Sequence, residues 1–172
     1  SIKAAKHRQI KPRINDQAMT RLTGRRTLMK IKIDTREQRP YSFSTPSEVG
    51  TIPVGDYSIV GLEDHIAIER KSLDDLIGCL TGERERFEKE LHKAKALDYF
   101  CIVIEASFSD IVNGNYRSKM TPKSAVQSLV AFSVRYRLPV FFADNRAYAA
   151  RITESLLQKY AHEIEKQYQV IE

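Results

Sequence analysis

The stretch that most limits what this chain can fold into is Ile66-Ala67-Ile68-Glu69-Arg70-Lys71-Ser72-Leu73-Asp74-Asp75. An apolar strand runs into a charged triplet, and a helix start follows at once. Side chains alternate along a strand, so Ile66 and Ile68 face one way while Glu69 and Lys71 share the opposite face. Ser72 reads as an N-cap, and Asp75 falls in the first turn of the helix it opens. A carboxylate and an ammonium therefore sit together at the end of a buried strand, and a second carboxylate arrives from the next helix. Such a floor suits a divalent metal.

The remaining chain supplies the sheet around that strand. Leu28 to Ile33 alternates after Leu28 and reads as the first strand, ending in Asp34-Thr35-Arg36-Glu37. Gln38-Arg39-Pro40 turns the chain away, and Tyr41 to Phe43 is a short extended piece. Gly55-Asp56 precedes Tyr57 to Val60; Gly61 to Asp64 makes a hairpin loop, and His65 to Arg70 pairs back antiparallel. Ser72 to Leu80 is a short helix with Leu73, Leu76, Ile77 and Leu80 on one face, and Glu83 to Leu97 is a longer charged one that buries Phe87, Leu91 and Ala94. Tyr99 to Glu105 is a continuous apolar run, which predicts a central parallel strand, with Glu105 ending it near the same sheet edge. Ser107 to Met120 is expected to be a polar loop. Thr121-Pro122 opens a helix to about Tyr136. Pro139 to Phe142 is a last strand, and Asp144 is placed to cap a final helix from Asn145 to Gln167. Antiparallel pairing followed by βαβ alternation predicts an α/β fold with a mixed central sheet flanked by helices.

Charge divides the chain in two. The net charge is +6, but residues 1–30 carry +8 and the rest −2. Residues 1–27 are thus a basic, flexible leader, with Arg25 and Arg26 among the cations placed to neutralise phosphates. Residues 28–172 form the folded domain. No apolar run reaches the roughly 18 residues of a membrane helix, and no secretory signal pattern opens the chain. The two cysteines, Cys79 and Cys101, sit in apolar stretches without metal-ligand spacing and read as reduced thiols of an intracellular protein, nuclear in a eukaryote and cytoplasmic in a prokaryote or phage.

Phosphodiester hydrolysis needs a polarised phosphoryl oxygen, an activated water and an offset for charge on the leaving oxygen. Hard oxygen ligands suit Mg²⁺ or Mn²⁺. The candidate acids are Asp34, Glu37, Asp56, Glu69 and Asp75. Asp34, Asp56 and Glu69 lie at or beside strand ends, where a sheet can gather them. Lys71 is one pleat step from Glu69, placed to stabilise charge on a pentavalent phosphorus. Arg70 points to the other face and braces a neighbouring acid or phosphate. Plainer readings stand beside these. Ser72 and Asp75 make a capping box, Gly55-Asp56 is ordinary turn chemistry, Asp34 and Arg36 form an ion pair closing the first strand, and Arg84 and Arg86 join a helical salt-bridge lattice.

With these residues in view, the chain resembles the nuclease domain of the XPF family of structure-specific endonucleases. The matching motifs are Asp34-Thr35-Arg36-Glu37, Val54-Gly55-Asp56-Tyr57, and Glu69-Arg70-Lys71 followed by three residues and Asp75. Arg84 or Arg86 with Phe87 is similar to a basic-plus-aromatic patch on the family's next helix. The resemblance spans roughly Ile31 to Lys166. It implies a restriction-endonuclease-like core and Mg²⁺- or Mn²⁺-dependent cleavage of branched or forked DNA, in repair or recombination. It implies that Asp56, Glu69 and Asp75 belong to the metal site, with Asp34 and Glu37 beside it, and that Arg36, Arg70 and Lys71 are the essential cations. It implies a homodimer through the nuclease domain, or a heterodimer. Arg84, Arg86, Arg117 and Lys119, with the leader, are the expected DNA contacts. The tandem helix-hairpin-helix motifs that usually follow such a domain are not found, so DNA grip is expected from the leader, a second subunit or a partner. An inert nuclease-fold partner or DNA-binding scaffold is the alternative, although such partners typically lose the acids that this chain keeps.

Overall fold

A computed structural model describes residues 29–169. The leader and its Arg25 and Arg26 lie outside the described residues. Six strands form one mixed sheet: β1 (Ile31–Asp34), β2 (Ser47–Gly50), β3 (Tyr57–Ile59), β4 (Ile66–Lys71), β5 (Tyr99–Ile104) and β6 (Val140–Phe142), in the order β2-β1-β3-β4-β5-β6. β3 pairs antiparallel with β1 and with β4, and the other three pairings are parallel. Among the described residues, five helices accompany them: α1 (Leu73–Leu80), α2 (Arg84–Ala94), α3 (Phe108–Val112), α4 (Pro122–Tyr136) and α5 (Arg146–Gln169).

Strand alternation splits the core into two. Ile31, Ile33, Tyr57, Ile59, Ile66, Ile68, Cys101 and Val103 face α5. Ala67, Phe100, Ile102 and Ile104 face the other way, against Leu76, Ile77, Leu80, Phe87, Leu91, Ala125, Leu129 and Phe132 from α1, α2 and α4. The result is a three-layer α/β/α sandwich, as expected from the mixed pattern. Ser72 caps α1 by accepting the Asp75 N–H, and Thr121 caps α4 with Pro122 at the first position. Among the described residues, no helix is long and apolar enough to cross a membrane.

Four local expectations are corrected. β2 is a parallel edge strand where no strand was expected; its Ser-Glu-Val-Gly pairs with β1 through the backbone and through Glu48, which faces Lys30 and Lys32. The stretch after Ser107 is not all loop, because a Ser107–Asp110 capping box nucleates α3. α2 ends at Ala94 rather than Leu97, its last carbonyls closed by tighter turns at Lys95 to Leu97. Asp144 does not cap the last helix. It stands at φ +71°, and Asn145 Oδ1 accepts the Tyr148 N–H instead.

Candidate active site

The β3–β4 hairpin brings the first two acids together. The antiparallel registers Ile33↔Tyr57 and Tyr57↔Ile68, extended by one residue, set Asp34, Asp56 and Glu69 in one row across three strands. The Asp34 N–H donates to the Asp56 carbonyl and the Asp56 N–H to the Ile68 carbonyl, which fixes the row. Gly55 makes the approach possible. It sits at φ +85°, and a Cβ there would stand 2.9 Å from the Ala67 Cβ. Above the row opens a cavity of about 520 Å³, lined by Asp56, Glu69, Lys71, Asp75 and Glu90 among the charged groups and rimmed by Arg36, Arg39 and Arg86.

Asp56 and Glu69 repel each other. The Asp56 carboxyl is pushed up to about 7, by burial first and by the Glu69 charge second, against the Arg70 N–H that donates to its Oδ2 at 2.8 Å. Burial also raises the Glu69 carboxyl. Lys71 pulls it back and Glu90 pushes it up again, and the net direction is upward. Lys71 Nζ stands 3.5 Å from Glu69 Oε1 and 5.2 Å from the centre of the Phe87 ring, with 10% of its side chain exposed. Cys79, half-buried, lines the same cavity; burial raises its thiol, more than Lys71 lowers it.

Asp34 occupies the row without reaching the cavity. Its carboxylate accepts the Arg36 N–H (2.9 Å), Arg36 Nε (2.7 Å), Arg36 Nη2 (3.3 Å) and the Ile52 N–H (2.9 Å), and 1% of the residue is exposed. Burial alone would raise this carboxyl, but those donors outweigh it and hold it below its ordinary value. Asp34 thus stands next to Asp56 in the row, held by Arg36 and the Ile52 N–H. Its lone pairs are filled, and its geometry is that of the ion pair closing β1.

Arg70 goes to the opposite face, as the alternation requires. Its Nε donates to Glu105 Oε1 and its Nη1 to Glu37 Oε1 at 3.3 Å. Glu37 also accepts the Arg39 N–H, and 6% of its side chain is exposed. Asp75 lines the cavity from the exposed side of α1, held by Ser72. It does not close a three-acid site. Among the described residues, no three His, Cys, Asp or Glu side chains are grouped to hold a metal ion. The acids gathered most tightly are Asp56 and Glu69.

A model of the ERCC4 domain matches residues 33–156, which cover the whole row, α1 to α4 and the first part of α5. The chain belongs to the ERCC4 domain family. Two solved structures share its fold. One is XPF from Aeropyrum pernix, at TM-score 0.63 and 20% identity, covering 81% of this chain and 69% of that one. The other is the same protein in complex with DNA, at TM-score 0.63 and 21% identity, covering 79% and 66%. The chain thus spans about two thirds of the length of these structures. No curated protein sequence matches it significantly. Family and fold agree on an ERCC4 domain with the restriction-endonuclease-like core of those XPF structures.

Within this ERCC4 domain the expected DNA contacts separate. Arg86 is exposed on the cavity rim, in ion pairs with Glu83 (3.5 Å) and Glu90 (3.9 Å). Arg84 is not on the rim. Its guanidinium lies 4.8 Å from the Phe132 ring centre and donates to the Leu80 carbonyl, so packing against α4 uses it. Arg117 is exposed, with its N–H on Asp74 Oδ1 and its Nε 3.6 Å from Asp74 Oδ2, which ties the loop after α3 to the start of α1. Lys119 is exposed in the same loop. Glu90 was missed by sequence reasoning. It lies one turn beyond Phe87 on the helix face that meets the site, and that spacing is the signal that would have found it.

Proposed function

We propose that this domain is a metal-dependent endonuclease, cleaving phosphodiester bonds in branched DNA at flaps, forks or junctions, with Mg²⁺ or Mn²⁺ as its cation. One observation carries the reading: two repelling carboxylates, Asp56 and Glu69, are held at adjacent strand ends beneath an open cavity with a basic rim. Folding gains nothing from that repulsion, and groups perturbed in this way mark functional sites.

The donor set fits a hard cation. Asp56 Oδ1 and Glu69 Oε2 accept no hydrogen bond among the described residues. Two carboxylates are also what Mg²⁺ commonly takes from a protein, with water and substrate phosphate completing its shell. When bound, the cation supplies polarisation of the phosphoryl group and a lower cost for activating water. Lys71 offsets charge as it builds on the phosphoryl oxygens. Arg36, Arg39 and Arg86 on the rim bind the flanking phosphates and orient the strand. We also infer that the domain works as a pair, with itself or with a related chain. Val130 and Val134, exposed on α4, and the free edge of β6 support that inference.

The test is a Mg²⁺ and Mn²⁺ titration on a labelled splayed-arm duplex, beside a linear duplex of equal length. Cation-dependent cutting near the junction is expected, and Asp56→Ala should abolish it while DNA binding persists. Cutting no greater than that of Asp56→Ala would assign the domain to the inert-partner class. Equal cutting of both duplexes would remove the preference for branches.

A further inference from the structure

Four charged groups alternate in sign from α5, on the far face of the sheet, to the cavity, which Arg70 and Glu37 both line. Arg146, the first residue of α5, faces Glu105 across 3.7 Å. Glu105 Oε1 accepts Arg70 Nε, and Arg70 Nη1 donates to Glu37, which lines the cavity. Tyr41 completes the set. Its hydroxyl donates to the same Glu105 oxygen at 3.0 Å, its N–H donates to the Tyr57 hydroxyl at 2.9 Å, and its ring stacks on Tyr57 at 5.2 Å and 7°.

Arg146 does a second thing. Its Nη2 donates to the carbonyls of Arg39 and Pro40, and its guanidinium lies 4.7 Å from the centre of the Tyr41 ring. Pro40 has no N–H, so this segment cannot tie itself down through that amide. The segment matters because Arg36, Glu37, Gln38 and Arg39 form one wall of the cavity. A rigid guanidinium fork can hold two carbonyls and still face a carboxylate, and an ammonium cannot.

We propose that Arg146, Glu105 and Tyr41 are positioning residues: a brace on the far face of the sheet that sets the Arg36–Arg39 wall and, through Arg70, Glu37. None of the three lines the cavity, and none belongs to the Asp56–Glu69 pair. The proposal rests on the nuclease reading for its effect on cleavage, and its structural half stands without it.

The experiment compares wild type, Arg146→Ala and Arg146→Lys. Amide hydrogen exchange is followed without added metal or DNA, and cleavage of the splayed-arm duplex is measured beside DNA affinity. In Arg146→Ala, the amides of Arg39 and Tyr41 should exchange at least about tenfold faster while those of β4 and β5 keep their protection. The cleavage rate at saturating DNA should fall by about 10- to 100-fold, as for a displaced active-site wall, with affinity unchanged. Arg146→Lys should restore neither. Unchanged exchange at Arg39 and Tyr41, exchange that rises equally across the sheet, or full rescue by lysine would each overturn the brace. A wild type that cuts nothing would sink the nuclease reading instead, and the exchange data would still decide the brace.

Discussion

Arg70 and Lys71 are neighbours in sequence and opposites in surroundings. Arg70 lies between Glu105 and Glu37, with its charge matched on both sides by largely buried acids. Lys71 faces an open cavity, 3.5 Å from Glu69 and lying over an aromatic ring, in a site with more negative charge than it can offset. One residue of register separates a closed ionic network from an electrostatically unsatisfied one. The lesson is that alternation along β4 sorts its two cations by task. The face packed on α5 uses Arg70 to hold structure, and the face under α1 and α2 keeps Lys71 available.

Swapping each cation for methionine should give opposite outcomes. Arg70→Met leaves Glu37 without its cation and Glu105 with only the longer contact to Arg146, and should cost about 3–5 kcal/mol of stability, measured by urea unfolding. Lys71→Met keeps the contact with Phe87, and the acid pair can hold one proton between them, so the fold should persist. Its cleavage should drop by about 100- to 1000-fold with DNA binding retained. If Lys71→Met unfolds and Arg70→Met does not, the assignment of the two faces is reversed.

A smaller effect of opposite sign is expected at Asp56. Asp56→Asn removes the repulsion with Glu69 and should stabilise the protein by about 1 kcal/mol while abolishing activity, the usual trade at a working site. Mg²⁺ should raise the melting temperature of wild type and not of this variant. A lowered melting temperature for Asp56→Asn would mean that the pair is not strained.

The smallest effect lies on the structural face. Glu154 of α5 accepts from the Ser44 and Thr45 hydroxyls at 2.7 Å each, and from both of their N–H groups. Burial raises its carboxyl, but these donors outweigh it and the net direction is downward. A group with a lowered folded pKa contributes stability above its unfolded value and loses it as pH falls through the folded one. Glu154→Gln should therefore lower stability at pH 8 and change little at low pH, which flattens the acid limb of the stability–pH curve. An unchanged acid limb would show that the clamp contributes nothing.

Much of this was readable in the chain. The β3–β4 hairpin, β5 and the helices other than α3 announced themselves through period-two and period-3.6 apolar spacing and through Ser72 and Thr121 as caps. The triplet Glu69-Arg70-Lys71 already implied that its middle member turns away from the outer two. What escaped reading was set by tertiary partners. β2 has no apolar alternation, because it is a partly exposed edge held by its backbone and by the ion pairs of Glu48 with Lys30 and Lys32. For Asp34 the sequence offered both a site acid and an ion pair with Arg36; only the Ile52 N–H, 18 residues away, was out of sight. Glu105 carried no motif, since what matters about it is supplied by Arg70, Tyr41 and Arg146 from three other segments. The Ser107–Asp110 box was readable, and a five-residue helix was overlooked behind a loop-like composition.

The β3–β4 hairpin has a consequence for how the chain reaches its folded state. Asp56 and Glu69 meet through the most local pairing in the sheet, whereas Glu105 and Arg146 come from far along the chain. Low-separation contacts close first, and loop-closure entropy delays the distant ones. The repelling pair is therefore assembled before its buttress, and the late docking of α5 is the step that commits the domain to a competent geometry.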